Sequence, residues 1–354
     1  MKSLRIAING FGRIGRTFFR LAFSRPEIEI IAINDLADLD NLAYLLKYDS
    51  VYRQFEKEVS VGKAEKNYLV VGGKKTLFLR EKEPAKLPWK ELAIDVVIES
   101  TGVFETYEKA SAHLTAGAKR AVITAPAKND GGLTSEVAFG GTKEGKTILL
   151  GVNEEEFKTC AISSNGSCTT NAVHPVAQIM SENPGIKKAV LNTIHAYTAT
   201  QKIVDGPDAK DWRRGRAAAV NMVPSTTGAA ISVTEAVKGL KGFFDGIAVR
   251  VPLATGSLAD FTFVAKRKTT VEEINNIFRE AAKSARWKGI LKAIEEPLVS
   301  SDIIGETHAS IVDLFFTRVI DGDLVKVLAW YDNEWGYSAT LVEHAIKAGM
   351  NIKK

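Results

Sequence analysis

Two short segments of the chain contain a cysteine and a histidine that could act together on a carbonyl carbon. Cys168 lies in a hydroxyl-rich turn, residues 164–171, at the predicted start of a helix. Free backbone N–H groups and the positive end of the helix dipole would favour its thiolate there. His195 follows the apolar run 189–191, which predicts a strand that returns to the same site. A thiol beside a base is typical of covalent catalysis.

Each of these residues alone has an ordinary structural interpretation. A small buried cysteine is common in protein cores, and this interpretation suits Cys160. An isolated histidine in a strand is often a hydrogen-bonded core residue. The polar, tight-turning neighbours of Cys168 favour a reactive thiol instead. The remaining histidines lack such surroundings and are interpreted as structural or surface groups; they are His113, His174, His308 and His344.

A glycine-rich turn near the N-terminus predicts a dinucleotide-binding fold. The apolar run 4–8 reads as a strand, and Gly10, Gly12 and Gly15 follow it as G-x-G-x-x-G before a predicted helix over residues 16–24. The three glycines would permit a tight turn, a close approach of the backbone to a pyrophosphate, and close packing of helix on strand. An ordinary strand-to-helix turn is the alternative for the glycines alone.

An acidic residue after the second predicted strand supports the dinucleotide interpretation. Asp35 follows the apolar run 28–33. At that place a carboxylate accepts hydrogen bonds from the adenosine ribose hydroxyls and repels a 2′-phosphate. The sequence therefore predicts NAD, rather than NADP, as the cofactor.

The pattern of apolar runs changes midway along the chain and predicts two domains. Short β-branched runs at 94–98, 121–123 and 147–150 are typical of buried parallel strands. We expect an α/β fold: a Rossmann-type doubly wound parallel sheet, followed by an α+β catalytic domain with a mainly antiparallel sheet. The NAD-binding domain is predicted over 1–166, completed by a C-terminal helix at 334–354, and the catalytic domain over 167–333. Further predicted elements are helices at 225–237 and 271–283 and a hairpin that turns at 321–323.

The composition is that of an ordinary globular enzyme. The net charge of +5 is spread along 354 residues, so nucleic acid is not expected as the primary partner. Two cysteines are too few for a disulfide framework, and neither belongs to a metal-ligand pattern. No apolar run approaches the ~20 residues that span a bilayer, and the N-terminus leaves no room for a leader. We expect a cytoplasmic protein without a bound metal.

Two further features could bind anions. The segment 224–230 combines hydroxyls with Gly228 before a predicted helix, and Arg250 ends a strand-like run. Hydroxyls and N–H groups at a helix start cradle phosphate, and a guanidinium binds it through two hydrogen bonds. By themselves, a helix cap at Thr227 and a surface ion pair at Arg250 are the commoner interpretations.

Several longer strings of residues are close to diagnostic of one enzyme family. They are 9–16, 34–35, 47–50, 100–104, 124–126, 163–171, 195–205, 216–219, 250–252 and 330–338, the last reading Trp-Tyr-Asp-Asn-Glu-Trp-Gly-Tyr-Ser. Through them the chain resembles the phosphorylating glyceraldehyde-3-phosphate dehydrogenases over nearly its whole length. The resemblance implies oxidation of D-glyceraldehyde 3-phosphate to 1,3-bisphosphoglycerate with reduction of NAD, in glycolysis or gluconeogenesis. Cys168 would form a hemithioacetal and then a thioester, with His195 as acid and base.

The same resemblance assigns the remaining site residues and the oligomer. The substrate phosphate would lie on Thr198 and Arg250, with Arg214 near both anion sites. The attacking phosphate would lie on Ser167, Thr169, Thr227 and Gly228. Besides Gly10, Gly12, Gly15 and Asp35, the cofactor would contact Arg13, Ile14, Lys82, Thr124 and Asn333, the last through the nicotinamide amide. The family resemblance further implies a homotetramer in which the loop 200–219 packs across a subunit interface.

The chain departs from the family pattern near the nucleophile. Gly166 replaces the usual alanine, Ala172 replaces a common second cysteine, and His174 stands where a small residue is usual. Lys82 replaces a common arginine. The segment 128–146 is longer than the family norm, and the sequence indicates no function for it.

Three alternative functions were weighed against this assignment. Erythrose-4-phosphate dehydrogenase shares the cysteine, the histidine and the nucleotide fold, but the run 195–201, which includes the phosphate ligand Thr198, favours the triose enzyme. A non-catalytic NAD-binding scaffold or RNA-associated protein would not need the thiol and its base. A cysteine hydrolase would need neither the glycine turn nor Asp35.

Overall fold

The computed structural model describes residues 3–63, 67–127, 145–209 and 211–352. The described residues pack into two compact units. The first is drawn from Met1–Ile148, Asn153–Gly166 and Leu341–Lys354, and the second from Leu149–Val152 and Ser167–Thr340. Residues 128–144, most of the long segment without an expected function, lie outside the described ranges.

The first unit is built on a nine-stranded sheet flanked by helices. The strands of this unit in chain order are β1 (Leu4–Asn9), β2 (Ile28–Asn34), β3 (Tyr48–Asp49), β4 (Arg53–Gln54), β5 (Val59–Lys63), β6 (Asn67–Val71), β7 (Lys74–Leu79), β8 (Val96–Glu99), β9 (Arg120–Ile123), β10 (Lys146–Thr147) and β11 (Ile162–Ser164). β3 and β4 form a separate two-stranded ribbon, and the other nine strands form the sheet. Its helices are α1 (Arg13–Ala22), α2 (Leu39–Lys47), α3 (Tyr107–Ala110) and α4 (Ala112–Thr115).

Strand order in this sheet creates a binding edge. The order is β10-β11-β9-β8-β1-β2-β7-β6-β5, and all pairs are parallel except β7-β6 and β6-β5. Ile6, Ile8, Val97 and Ile98 are fully buried, as expected for parallel strands covered on both faces. β1 lies between β2 and β8, so the strands that follow it in the chain pair on both of its sides. Doubly wound sheets bind ligands at such a switch point, where the strand order reverses. The predicted Rossmann-type sheet is confirmed.

The second unit holds a seven-stranded sheet. Its elements in chain order are α5 (Cys168–Glu182), β12 (Ile186–Ala196), β13 (Val223–Thr226), α6 (Ala229–Ala236), β14 (Phe244–Val251), β15 (Ser257–Ala265), α7 (Val271–Lys283), β16 (Leu291–Ile294), β17 (Ser310–Ile320), β18 (Leu324–Tyr331) and α8 (Trp335–Met350). Strands follow the order β13-β14-β12-β15-β18-β17-β16, with only β12-β14 and β16-β17 parallel. The predicted mainly antiparallel sheet is confirmed, as are the hairpin at 321–323 and α7. From Leu341 onward, the residues of α8 belong to the first unit.

Several predicted bounds were wrong. The helix expected over 16–24 spans Arg13–Ala22, so Gly15 lies in its first turn, and the strand expected over 94–98 spans Val96–Glu99. The helix expected from Ser225 begins only at Ala229, because 223–226 form strand β13, in which Ser225 pairs with Ala248 of β14. Pro224 is compatible with this because β13 is an edge strand. The strand expected over 147–150 ends at Thr147, where the chain turns away.

The described part of the chain has no helix with both the length and the apolar character needed to cross a membrane.

The glycine turn between β1 and α1 is tightly packed at Gly10 and Gly15 and open at Gly12. Gly10 has φ +93°, and a Cβ there would lie 2.6 Å from the backbone nitrogen of Thr101 and 2.7 Å from the carbonyl carbon of Ser100. A Cβ on Gly15 would lie 2.2 Å from the Gly10 oxygen, whereas one on Gly12 would meet no atom within 4 Å.

Replacing Gly10 by alanine should therefore destabilise the protein far more than replacing Gly12. Gly10→Ala combines a left-handed backbone with a clash against main-chain atoms, so we expect a loss of roughly 2–5 kcal/mol. Gly12→Ala, the matched control, should cost less than about 1 kcal/mol. Denaturant titration of the cofactor-free proteins measures both. Equal stabilities for the two variants would show that the packing of this turn is not limiting.

Candidate active site

Cys168 is the first residue of α5, and a capping box fixes the turn before it. The Ser167 hydroxyl accepts from the Thr170 N–H at 3.0 Å, and the Thr170 hydroxyl accepts from the Ser167 N–H at 3.1 Å. The chain reaches this turn through Gly166, whose φ of +65° favours glycine over residues with a side chain. The cap therefore holds the thiol at the helix start.

His195 lies next to the last residue of β12 and faces the thiol. Its Nε2 is 3.3 Å from Cys168 Sγ, and its Nδ1 is 2.6 Å from the Ala196 carbonyl oxygen. The Ala196 carbonyl can only accept and favours a proton on Nδ1, whereas the guanidinium of Arg250, which also contacts Nδ1, can only donate and favours a lone pair there. Nε2 is the ring nitrogen that faces sulfur.

Arg250 reaches this pair because strand register places it there. It lies on β14 directly beside His195 on β12, in parallel pairing. Its Nη1 is 2.5 Å from His195 Nδ1 and 3.2 Å from the Ala196 oxygen. A guanidinium so close to the ring disfavours a second positive charge on it. The structure thereby brings three sequence-predicted residues together.

The surroundings keep both members of the pair neutral. Burial, with the charge of Arg250 adding to it, lowers the pKa of His195 to about 3. Burial also raises the pKa of the Cys168 thiol, although Arg250 and hydrogen bonds from Thr169 and from the Cys168 N–H act in the opposite direction. The expected stabilisation of thiolate at the helix start is therefore present but outweighed by burial. Both shifts favour a thiol and a neutral imidazole over the ion pair.

A buried tyrosine, Tyr331, packs against His195, and the sequence patterns did not identify it. The Tyr331 hydroxyl lies 2.9 Å from Thr169 Oγ1 and 2.7 Å from Thr193 Oγ1, and its ring meets His195 edge-on at 5.9 Å. Burial raises the pKa of Tyr331, so its proton stays available for these hydrogen bonds. The only signal for this role was that Tyr331 lies inside the string 330–338.

The other predicted anion ligands occupy three places in the second unit. The Thr198 hydroxyl is partly exposed, 2.9 Å from that of Thr200. Arg214 donates to the Ser225 hydroxyl at 2.7 Å, and its charge reaches Arg250. Thr227 Oγ1 accepts from the Ala229 N–H at 3.2 Å, at the start of α6. The exposed Gly228 between them is the N-cap residue of α6.

The predicted cofactor residues of the first unit fit a dinucleotide. The N-cap of α1, Gly12, has no side-chain capping bond, and the open space above it could admit a pyrophosphate. Asp35 accepts from the Phe11 N–H at 2.6 Å and the Ala37 N–H at 2.9 Å, which leaves lone pairs on both oxygens for ribose hydroxyls. Arg13 pairs with Asp49 at the first turn of α1.

The remaining predicted cofactor residues lie at separate points. Ile14 follows Arg13 in α1 and is partly buried, Lys82 is exposed, and Thr124 directly follows β9. In the second unit, Asn333 Oδ1 accepts from the hydroxyls of Ser257 at 2.8 Å and Thr255 at 3.2 Å. These bonds fix the side-chain amide so that its NH₂ group is the free end for a ligand carbonyl. Among the residues described, no three His, Cys, Asp or Glu side chains are grouped to hold a metal.

The chain is similar to known proteins over nearly its whole length. Residues 4–107 match the family model for the glyceraldehyde 3-phosphate dehydrogenase NAD-binding domain, and residues 167–333 match that for the C-terminal domain of the same enzyme. The chain is 49% identical to glyceraldehyde-3-phosphate dehydrogenase of Thermotoga maritima, over 96% of this chain and 97% of that one. It is 46% identical to the enzyme of Geobacillus stearothermophilus, over 97% of both chains, and 44% identical to that of Mycobacterium avium, over 99% and 100%.

Removing the charge of Arg250 should make the thiol harder to ionise. Arg250→Met deletes the guanidinium but keeps an unbranched chain, so the pKa of Cys168 rises and the thiolate fraction at a given pH falls. The alkylation rate with iodoacetamide, a neutral reagent, should shift to higher pH in a Cys160→Ser background. Arg216→Met, which removes an exposed arginine paired with Asp205, is the control and should leave the profile in place. An unchanged or lower midpoint for Arg250→Met would contradict the account.

Proposed function

Since the chain belongs to the glyceraldehyde-3-phosphate dehydrogenase family and is an NAD-dependent oxidoreductase acting on glyceraldehyde 3-phosphate, we propose that Cys168 and His195 carry out its chemistry. The observation that carries this proposal is the 3.3 Å contact between Cys168 Sγ and His195 Nε2, which is partly buried and lies beside Arg250. A thiol that faces a neutral base can be deprotonated at the moment of attack.

In the first half-reaction, Cys168 adds to the aldehyde carbon as its proton passes to His195. The new C–S bond gives a hemithioacetal. The Cys168 N–H and the protonated imidazole are the natural hydrogen-bond donors to the developing oxyanion. The protonated imidazole returns this proton to the oxyanion, which completes the hemithioacetal hydroxyl and leaves His195 neutral. His195 then takes the hydroxyl proton while the carbon loses hydride, and a thioester on Cys168 results. Bound NAD supplies the hydride acceptor.

In the second half-reaction, inorganic phosphate resolves the thioester. A phosphate oxygen adds to the acyl carbon, the C–S bond breaks, and the product is an acyl phosphate, 1,3-bisphosphoglycerate. His195 assists departure of the thiolate by donating a proton. We assign the substrate phosphate to Thr198 and Arg250, and the attacking phosphate to the group Ser167, Thr169, Thr227 and Gly228, with Arg214 near both. The capping role of Ser167 and the contact of Thr227 with Ala229 do not exclude binding, because a hydroxyl has further lone pairs.

We also propose the cofactor residues and the domain division given by the sequence. The cofactor would contact Gly10, Gly12, Arg13, Ile14, Gly15, Asp35, Lys82, Thr124 and Asn333, and Asp35 would select NAD over NADP. Residues 1–166 with 334–354 would form the NAD-binding domain, and 167–333 the catalytic domain. The grouping of the described residues into two units supports this division, although it places the start of α8 and residues 149–152 in the second unit.

A homotetramer in the cytoplasm is the proposed working form. Large apolar side chains are exposed in the segment 200–219 expected at a subunit interface, and directly after it. Ile203, Val204 and Trp212 lie within that segment and Val220 and Met222 follow it, and all five are 74–86% exposed. Exposed apolar surface of this kind marks protein–protein contacts. Two free cysteines are compatible with a reducing compartment.

The proposal predicts that NADH forms only through Cys168 and that turnover requires phosphate. Cys168→Ser should lower kcat by roughly 10⁴-fold or more, because a hydroxyl is a much weaker nucleophile. Cys160→Ser is the matched control; Cys160 is buried in the first unit, so activity should stay within about 2-fold of the parent. The measurement is NADH absorbance with glyceraldehyde 3-phosphate, with and without inorganic phosphate.

The alternatives give different results in the same assay. Preference for erythrose 4-phosphate, or oxidation that is indifferent to phosphate, would favour the tetrose enzyme. Absence of NADH formation would favour a scaffold or a hydrolase.

A further inference from the structure

A buried carboxylate in the first unit has no part in the chemistry described so far. Glu99 is the last residue of β8, and only 2% of it is exposed. Oε2 accepts from Asn9 Nδ2 at 2.6 Å and lies 2.8 Å from His113 Nε2. Oε1 accepts from both the N–H and the hydroxyl of Thr101. Four contacts from described residues therefore converge on one carboxyl group.

The protonation of the histidine can be assigned from its other neighbour. Trp89 Nε1 lies 3.1 Å from His113 Nδ1, and an indole N–H can only donate. His113 Nδ1 must accept, so the ring proton of the neutral imidazole is on Nε2 and is donated to Glu99. Each of the four contacts is then a donor aimed at the carboxyl group. Hydrogen bonds from four donors offset the cost of burying this group.

This carboxylate holds both sides of the glycine turn. Asn9 directly precedes Gly10, and the backbone nitrogen of Thr101 lies against Gly10 so closely that a Cβ would be 2.6 Å away. Between them, the Ser100 N–H donates to the Asn9 carbonyl at 2.8 Å, and the Ser100 hydroxyl donates to the Gly10 carbonyl at 2.6 Å. The turn is thus fixed from its own strand, β1, and from the neighbouring strand, β8.

The hydrogen bonds continue to the third strand of the binding edge. Asn9 Oδ1 accepts from Asn34 Nδ2 at 2.7 Å, and Asn34 is the residue before Asp35. The Asn34 carbonyl also accepts from the Gly10 N–H at 2.8 Å. The carboxylate of Glu99 therefore sets the side-chain orientation of Asn9, which in turn joins the ends of β8, β1 and β2.

We propose that Glu99 is a positioning residue for NAD: its carboxylate holds the turn from Gly10 to Gly15 and the neighbouring Asp35 in the arrangement that receives the cofactor. The inference rests on the proposed assignment of that turn to NAD. It concerns cofactor affinity and not the thiol chemistry, because Glu99 would touch neither cofactor nor substrate.

The test is Glu99→Gln with NAD binding measured directly by calorimetry on the cofactor-free protein. Donors surround both oxygens of Glu99, so the NH₂ group of a glutamine would face a donor whichever way the side chain is turned. The charge of the carboxylate would be lost as well. We expect the Kd for NAD to rise by about 10-fold or more. The KM for NAD should follow, while kcat at saturating NAD and the KM for glyceraldehyde 3-phosphate change less than about 3-fold.

A matched control lies at the opposite end of the same strand. Asp95, just before β8, accepts from the Arg5 N–H at 3.0 Å and from Lys119 Nζ at 2.6 Å. Asp95→Asn is the same change of carboxylate to amide, away from the glycine turn. It should lower the unfolding temperature and leave the Kd for NAD within about 2-fold of the parent. Equal loss of NAD affinity in Asp95→Asn and Glu99→Gln would reduce Glu99 to a general stabilising role and overturn the proposal.

Two variants of Thr101, which leave Glu99 itself in place, test the proposal if Glu99→Gln does not fold. Thr101→Val removes one hydrogen bond to the carboxylate, and Thr101→Ser retains it. The proposal expects a weaker NAD affinity for valine and a near-parental one for serine; equal affinities would overturn it.

Gly12→Ala separates this proposal from the assignment of the cofactor site. Its added methyl group enters the open space above the turn and should weaken NAD binding if the turn carries the pyrophosphate. Unchanged affinity for Gly12→Ala would count against the cofactor assignment itself. Reduced affinity there with parental affinity for Glu99→Gln would overturn the role of Glu99 alone.

Discussion

The chemistry of this protein depends on holding an ionisable pair, the buried His195 and the partly exposed Cys168, without a net charge. Cys168 and His195 lie 3.3 Å apart, and burial disfavours the thiolate as well as the imidazolium. Arg250 supplies the positive charge that the imidazole does not carry at rest. A neutral imidazole can accept the thiol proton during attack, and the nearby guanidinium favours the anion that this transfer creates.

In the first unit, four donors converge on the buried carboxyl group of Glu99 and offset the cost of its burial. Both arrangements depend on strand register. Parallel pairing of β12 with β14 places Arg250 beside His195, and parallel pairing of β1 with β8 places Asn9 beside Glu99.

Local patterns predicted most of the fold. Short apolar runs and the glycine turn identified the parallel sheet, and the period of α7 and the turn at 321–323 identified their elements within a few residues. The edge strand β13 was missed because its pairing with β14 is not local, and a Ser-Thr-Thr-Gly string is equally compatible with a helix start. Tyr331 was missed for a similar reason, since its hydroxyl partners lie far away in sequence. The net pKa shift of Cys168 depends on burial, which no turn motif reports.

The most direct test of the account is to trap the acyl group on the enzyme. Protein incubated with glyceraldehyde 3-phosphate and NAD in the absence of inorganic phosphate should accumulate a 3-phosphoglyceryl thioester. Peptide mass spectrometry should then find that group on Cys168, and added phosphate should release it. An acyl group on Cys160, or NADH formation without an acylated cysteine, would contradict covalent catalysis by the Cys168–His195 pair.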